Sequence, residues 1–537
     1  MEVLWVFLIL LAVAAVAGLL SSWVSSQKRL RRRVLDQFGK PPQEDGSLEG
    51  VPDYAAFLED LPVDGATWED LDMDRVFRRV NACQSSVGEQ VLYAQLHRLE
   101  LLPHWEELLS HLERCPEERE RAWLTLAKLG KRRSGYGLAD FLFDPEEVPL
   151  LLGPFYPLFA LLPLVGLLCM VWDLWIGGCL LIGSLCWNVA LYYLGKHRVQ
   201  GDLERLQGFS SLLWTCRRLT KELSFVPLQN EVGEALAKFR PLEGRLTGAG
   251  ARGSADWELL QEYYHILTLR DLRLYRKAVK LVQSYPQQAQ ELFRAVGMVD
   301  SAIAVLSFRK TLPRWCRPTY HGENALEFTG LFHPLLQNPV ENSGRLEKDV
   351  LLTGSNASGK STFLKALAVN AILGQSIDTC AGERYAYRAG KVLSSMAVRD
   401  DITAGESYFM AEVRSLKRLT DAARTGGCLL FIDEILKGTN TVERLAASQA
   451  VLEELHRRDC LCVAATHDRE LTGQLEGSYH SFHFQERLTK DGVEFDYLLR
   501  PGPANTQNAI RLLELLGFSP STVERAQELA KRGEIPT

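Results

Sequence analysis

The strongest chemistry in this 537-residue chain lies between Gly354 and Thr362. Gly354, Gly359, Lys360 and Ser361 fit the spacing G-x-x-x-x-G-K-S without a gap, with Ser355, Asn356, Ala357 and Ser358 between them. Glycines at both ends let backbone N–H groups curl around an anion. The run leaves an apolar segment, Val350–Thr353, expected as a strand, and enters a helical pattern at Phe363, Leu364, Ala366 and Leu367. A helix N-terminus adds partial positive charge at the same point. This spacing in this context predicts a loop that cradles the phosphates of a nucleoside triphosphate. Lys360 is expected to reach the outer phosphates and Ser361 to ligate Mg2+. A chance glycine-rich turn is the plain alternative, and the strand–loop–helix context argues against it. Asn356 and Ser358 also satisfy a glycosylation sequon, which is set aside because this backbone is committed to phosphate.

Two further positions belong to the same chemistry. The apolar run Leu429–Ile432 ends in Asp433 and Glu434, placing two carboxylates at the C-terminal edge of a sheet, where ligands of α/β folds sit. Asp433 is expected in the Mg2+ shell and Glu434 as the group that orients or deprotonates the attacking water. Two acids after a strand are usually just a solvated strand end; beside a phosphate loop they become specific. His467 follows the run Cys460–Ala465, where it can contact the outermost phosphate. A lone histidine there is more often structural, and the two other motifs favour the functional reading. The segments that position these groups alternate short apolar runs with helical patterns from about residue 325, which predicts an α/β domain with a mostly parallel sheet.

The composition, 46% hydrophobic and 24% charged, is that of a globular protein, and the net charge of −6 excludes a globally basic nucleic-acid binder. The 11 cysteines stand singly apart from Cys460 and Cys462, which reads as reduced thiols and no zinc site.

Apolar residues are unevenly spread. Val3–Val24 carries no charge and spans about 33 Å as a helix, enough to cross a bilayer. A signal peptide would need basic residues before it, but Lys28, Arg29, Arg31, Arg32 and Arg33 come after it. Val148–Leu194 is apolar apart from Asp173 and reads as a tight hairpin of two spans, with Trp172 and Trp175 beside the turn and Lys196, His197 and Arg198 after it. Pro154, Pro157 and Pro163 are expected to kink its first arm. Both basic clusters predict a multi-pass membrane protein with the N-terminus outside and the soluble mass in the cytoplasm. A buried hairpin of a soluble protein is the competing reading. Residues 34–147 and 200–315 read as helical, with a flexible break at Gly248–Gly253. Arg270, Arg273, Arg276, Lys277 and Lys280 share one helix. They could touch phosphate, but a solvated face paired with nearby acids is the favoured reading.

Together these motifs resemble the MutS mismatch-repair family. The segment Gly354–Thr362 is similar to its phosphate loop, including Asn356. Asp433 and Glu434, followed by Gly438, Thr439, Asn440 and Thr441, resemble its Asp-Glu and Gly-Thr-x-Thr turn. Residues Asp401–Glu412 resemble its signature segment, with Ser407, Phe409, Met410 and Glu412 as the core. Ala465, Thr466 and His467 match its Ala-Thr-His, Phe332–Pro334 its His-Pro turn, and Gly502–Ala530 its closing segment. Upstream, Thr67–Asp72, Asn81 and Gly88 resemble the start of the family's helical core. By resemblance, two ATPase domains pair into a homodimer, and Ser407 reaches the γ-phosphate held by the partner. Ser355 and Ser358 replace the family's usual proline and glycine. The mismatch-reading domain finds no counterpart upstream, and no aromatic residue near Asn338–Asn342 stands ready to stack on adenine.

The expected architecture is an α/β P-loop NTPase domain of the ABC and MutS type, an all-α core and three transmembrane helices. The boundaries are residues 1–27 for the first membrane helix, 28–147 for the first part of the core, 148–195 for the membrane hairpin, 196–320 for the second part of the core, 321–505 for the ATPase domain and 506–537 for a helical dimerisation segment. The expected catalytic residues are Glu434, His467 and Ser407, with ATP and Mg2+ as the bound groups. Expected partners are a second copy of the chain and membrane lipid, with DNA and an unidentified protein left open. A tethered DNA-binding ATPase competes with an ATP-driven membrane device acting on a protein or lipid. A transporter is disfavoured: its Leu-Ser-Gly-Gly-Gln signature is missing, and the spans hold little polar beyond Asn188.

Overall fold

The computed structural model describes residues 18, 21–22, 24–42, 47–59, 61–242, 263–347, 349–355, 358–396, 408–436, 439–489, 492–504, 510, 513 and 517–532. Most of the expected first membrane helix, the Gly248–Gly253 break, Asn356, Ala357, Asp401–Ser407, Gly438 and part of the closing segment lie outside them. The chain divides into two compact units: residues 1–59, 81–94 and 103–307, and residues 60–80, 95–102 and 308–537.

The first unit is helical. Leu212, Leu213, Cys216 and Leu219 recur at helical spacing, and all are buried on the helix Gln200–Glu222. Asp300 is buried in this unit and accepts from the backbone N–H of Gln84 and of Ser85, at 3.0 and 2.8 Å. Gly88 makes room for it, since a Cβ there would meet Asp300 Oδ2 at 2.2 Å. The apolar hairpin forms from helices α1 (Tyr156–Cys169) and α2 (Leu174–Arg198). Asp173 caps α2 by accepting from Trp175 N and Ile176 N at 2.9 and 3.0 Å.

The expectation of three spans is corrected here. Among the described residues, only α2 is long and apolar enough to cross a membrane. Helix α1 has 14 residues, about 21 Å. It starts late because Gly153–Phe155 is a 3-10 turn and Pro157, fixed in φ and lacking an N–H, sits in the first turn of the helix. Pro163 stays inside α1. Helix α3 (Arg270–Ser284) packs against the basic end of the hairpin, where Gly195 leaves room for Leu272.

Among the described residues, the second unit holds ten strands in two sheets. Strands β1 (Pro318–Tyr320), β2 (Ala325–Leu331), β3 (Asn342–Glu347) and β5 (Arg384–Tyr387) form a four-stranded sheet in the order β1-β5-β2-β3. Strands β4 (Asp349–Thr353), β6 (Lys391–Ser395), β7 (Cys428–Asp433), β8 (Cys460–Ala465), β9 (Tyr479–Thr489) and β10 (Gly492–Pro501) form the other, in the order β10-β9-β4-β8-β7-β6. Its pairs are parallel except β9–β10. Every residue of β4, β7 and β8 is buried, which explains their uninterrupted apolar runs. Helices α4 (Lys360–Ile377), α5 (Tyr408–Ala423) and α6 (Thr441–His456) complete the α/β architecture. The core gathers Leu351, Leu419, Leu430, Leu452 and Cys462. The expected α/β domain is therefore present beside a mostly helical unit.

Candidate functional site

The site forms where three neighbouring strands end. Strand β4 runs into Gly354 with φ of 144°, and the loop closes at Gly359 with φ of 101° before α4 begins. Both positions require glycine. A Cβ at Gly354 would meet Phe484 O at 2.8 Å, and one at Gly359 would meet Tyr497 Cδ1 at 2.9 Å. Strand β8 lies beside β4, and Thr466 N donates to Leu352 O at 2.9 Å, which carries His467 to the loop. Strand β7 lies beside β8, and Glu434 N donates to Ala465 O at 3.0 Å, which carries Glu434 to His467. Adjacent register alone thus joins residues separated by more than a hundred positions.

Lys360 is buried, and its Nζ donates to the carbonyls of Gly354 and Ser355, each at 2.8 Å. Ser361 and Thr362 are exposed at the first turn of α4. Ser358 Oγ and Asp433 Oδ1 are buried and have no hydrogen-bond partner among the described residues. Glu434 has φ of 61°, a strained left-handed conformation for a residue with a side chain. Its Oε1 contacts His467 Nε2, while His467 Nδ1 lies 3.2 Å from Gly354 O. The expected acid and histidine therefore meet each other and the loop. The Ser355 hydroxyl donates to Glu486 Oε2 on β9, so the residue standing for the family's proline has a partner of its own.

A cavity of about 490 Å3 opens over this loop. The phosphate-loop residues Ser355 and Ser358–Thr362 line one side, Glu434 the edge, and Phe332, His333, Asn342 and Tyr497 the other side. Tyr497 is an aromatic residue of this cavity, and it lies far in sequence from both the loop and Asn338–Asn342. Asn342 supplies the link: its Nδ2 donates to Tyr497 O at 3.0 Å, and its Oδ1 accepts from Leu499 N at 2.7 Å. These bonds hold the irregularity of β10 between Phe495 and Leu499, with Tyr497 at φ of 54° over Gly359. Burial drives the His333 ring down from its ordinary 6.5 to about 4, helped by the positive charge of Lys365. Leu335 N donates to His333 Nδ1 at 3.3 Å, which leaves the proton of the neutral ring on Nε2.

Asn440 caps α6 by accepting from Glu443 N at 3.0 Å, and Arg444 grips Asp468 beside His467 through two bonds of 3.0 and 2.8 Å. The residues present suit a divalent cation: Asp433 has a buried carboxylate oxygen without a hydrogen-bond partner among the described residues, and Ser361 is exposed in the first turn of α4. Elsewhere, His111, Cys115 and Glu118 come within 4.8 Å of one another, a trio absent from the sequence reading. Glu118 already engages His111 at 2.9 Å and both Ser224 N and Ser224 Oγ at 2.8 Å, so it is committed to holding two segments together.

A strand–loop–helix cradle with a buried lysine, an acid pair at the end of the strand next but one and a mostly parallel sheet defines the P-loop class of nucleotide-binding domains. Residues 350–534 match the family model described as MutS domain V. It is 32% identical over 268 residues to the DNA mismatch repair protein MutS of Natronomonas pharaonis, covering 48% of this chain and 31% of that protein. It is 33% identical over 323 residues to MutS of Dinoroseobacter shibae, covering 56% and 34%, and 26% identical over 270 residues to MutS of Thermotoga maritima, covering 48% and 34%. The matched region spans about a third of the length of these relatives.

Proposed function

We propose that this protein binds and hydrolyses ATP with Mg2+ as a dimeric switch held at a membrane by its apolar hairpin. The observation that carries this reading is one cavity lined by Lys360, Ser361 and Glu434, with His467 in contact with both Glu434 and Gly354 O and Asp433 preceding Glu434 at the end of β7. On nucleotide binding, Lys360 exchanges the Gly354 and Ser355 carbonyls for phosphate oxygens, a charge-assisted bond in place of a neutral one. Ser361 and Asp433 would hold Mg2+, which when bound neutralises phosphate charge. The base of the nucleotide lies against Tyr497, whose ring flanks Gly359 on the cavity side. Glu434 takes the proton of the attacking water, and its contact with His467 ties its position to the loop. Ser407 of a second copy closes the site, as family resemblance implies.

Glu434→Gln keeps the shape and hydrogen-bonding reach of the side chain and removes its basicity. It is expected to bind ATP normally and turn over ~100-fold slower or worse. Near-normal turnover in single-turnover assays removes Glu434 as the base.

The relatives carry names in DNA mismatch repair, and a relation to DNA is the output this kinship favours. A second reading, action on a membrane lipid or protein partner, draws on the hairpin. Its residues Leu164, Leu168, Ile176 and Ile182 are 59–68% exposed, unlike a hairpin of a soluble core. The basic residues Lys196, His197 and Arg198 in the last turn of α2 suit a cytoplasmic end for that helix.

A further inference from the structure

The basic run on α3 is the motif that ATP chemistry does not use. Its five cations, Arg270, Arg273, Arg276, Lys277 and Lys280, line one cavity of about 650 Å3, and no acid lines it with them. The cavity sits at the end of the hairpin that carries Lys196–Arg198. Gly153 and Pro157, at the start of α1, form its apolar side, and a Cβ at Gly153 would meet Arg276 Cδ at 3.1 Å. Two contacts fix α3 and the chain before it against the hairpin, and a third ties the two arms of the hairpin together. Asn188 Nδ2 donates to Phe159 O and Leu267 O at 3.0 and 2.9 Å, and Tyr192 OH donates to Asp271 Oδ2 at 3.2 Å.

The reading of this face as solvated and paired with acids is only partly met. Arg276 pairs with Glu147 at 3.2 Å, while Lys277 donates to Pro241 O at 3.0 Å and Arg273 lies 3.4 Å from Thr268 O. Arg273 and Lys280 have no ion pair among the described residues. Concentrating five cations at one concavity costs electrostatic repulsion that an anion relieves. Tyr264 also lines the cavity and is half exposed, an amphipathic ring of the kind that settles at headgroup depth. From Pro157 the apolar surface continues along α1 through Leu158 and Leu161, each 56% exposed, a path for hydrocarbon.

We propose that this cavity binds the phosphate headgroup of an anionic phospholipid, with the acyl chains lying along α1. The proposal rests on the hairpin being in the membrane. It departs from that reading by assigning a specific lipid site to Arg273 and Lys280, with Arg270 and Lys277 beside them. A phosphodiester supplies the charge, and the hairpin places it at the level of the leaflet that faces the basic end.

The test uses the full chain reconstituted in phosphatidylcholine vesicles with and without phosphatidylglycerol. Native mass spectrometry after mild solubilisation reads the lipid retained, and alkaline carbonate extraction reads insertion. The wild type is expected to retain phosphatidylglycerol over phosphatidylcholine by ~10-fold or more. Arg273→Gln with Lys280→Gln is expected to lose that preference while remaining resistant to extraction, with helix content by circular dichroism unchanged. A charge-reversed pair, Arg273→Glu with Lys280→Glu, is expected to lose it further. Wild type that resists extraction but shows no lipid preference overturns the headgroup site and leaves membrane anchoring standing. Wild type that is extracted overturns both. Displacement of the lipid by inorganic phosphate alone assigns the cavity to a soluble anion and overturns the lipid source. Displacement by a short DNA duplex, lost in the same variants, assigns the face to nucleic acid and overturns it equally.

Discussion

His333 lines the nucleotide cavity as a buried ring. In the unfolded chain it takes up a proton as the pH falls below 6.5, but in the folded domain it resists until about 4. Its folded value is depressed, so between these limits the unfolded state binds more protons, and stability rises with pH. The contribution is complete above pH 6.5 and is lost as the pH falls towards 4, with an upper size of ~3 kcal/mol. The unfolding midpoint of the nucleotide-binding unit should therefore fall on acidification, and His333→Asn should flatten this dependence. Equal slopes in the two proteins would dismiss His333 as the source. At the same scale, the loop motif, Asp433, Glu434 and His467 were legible because each is a short run whose chemistry follows from residue type. Tyr497 was not, because it is separated from Gly359 in sequence and enters the cavity through an irregularity in β10.

At the scale of elements, strand β6 forms one edge of the six-stranded sheet, and an edge strand presents unpaired backbone groups. The short helix Gly65–Asp70 covers this one. Thr67 Oγ1 accepts from Ser394 N at 3.2 Å, and Asp70 Oδ2 accepts from Ser394 Oγ at 2.9 Å and Met396 N at 3.0 Å. Burial pushes the Asp70 carboxyl above the ordinary carboxylate range, against the pull of these donors. Replacing Asp70 with Ala leaves buried donors without their acceptor and should cost about 1–3 kcal/mol. Hydrogen exchange should quicken at the Met396 amide, and unchanged protection there would rule out this edge-covering role. Sequence similarity placed Thr67–Asp72 in a helical core, yet the structure gathers residues 60–80 with the nucleotide-binding unit. Helical periodicity reports that a face is buried and does not report against what. The hairpin carries the same lesson in another form. Hydropathy located it and its turn at Asp173, but proline placement shortened α1 to 14 residues.

At the scale of the whole molecule, pairing of two copies is expected to complete each ATP site with Ser407 from the other. Ser407→Ala and Glu434→Gln should each be weak as separate homodimers. Mixed, they form dimers with one intact composite site, in which the Ser407→Ala chain supplies Glu434 and its partner supplies Ser407. ATPase activity should then recover to roughly half the wild-type value per mixed dimer. No gain on mixing would eliminate the shared site. The sequence by itself determined the phosphate loop, the acidic strand end and the alternating β and α pattern. Each of these is local: strand, turn and helix N-terminus are contiguous, and their residue types dictate their backbone. The tertiary structure alone decided that His467 meets Glu434, that Asn342 sets Tyr497 over Gly359, and that five cations of α3 share a cavity with the start of α1. These contacts depend on strand order and helix docking, which arise from burial of many side chains at once and leave no mark at any single position.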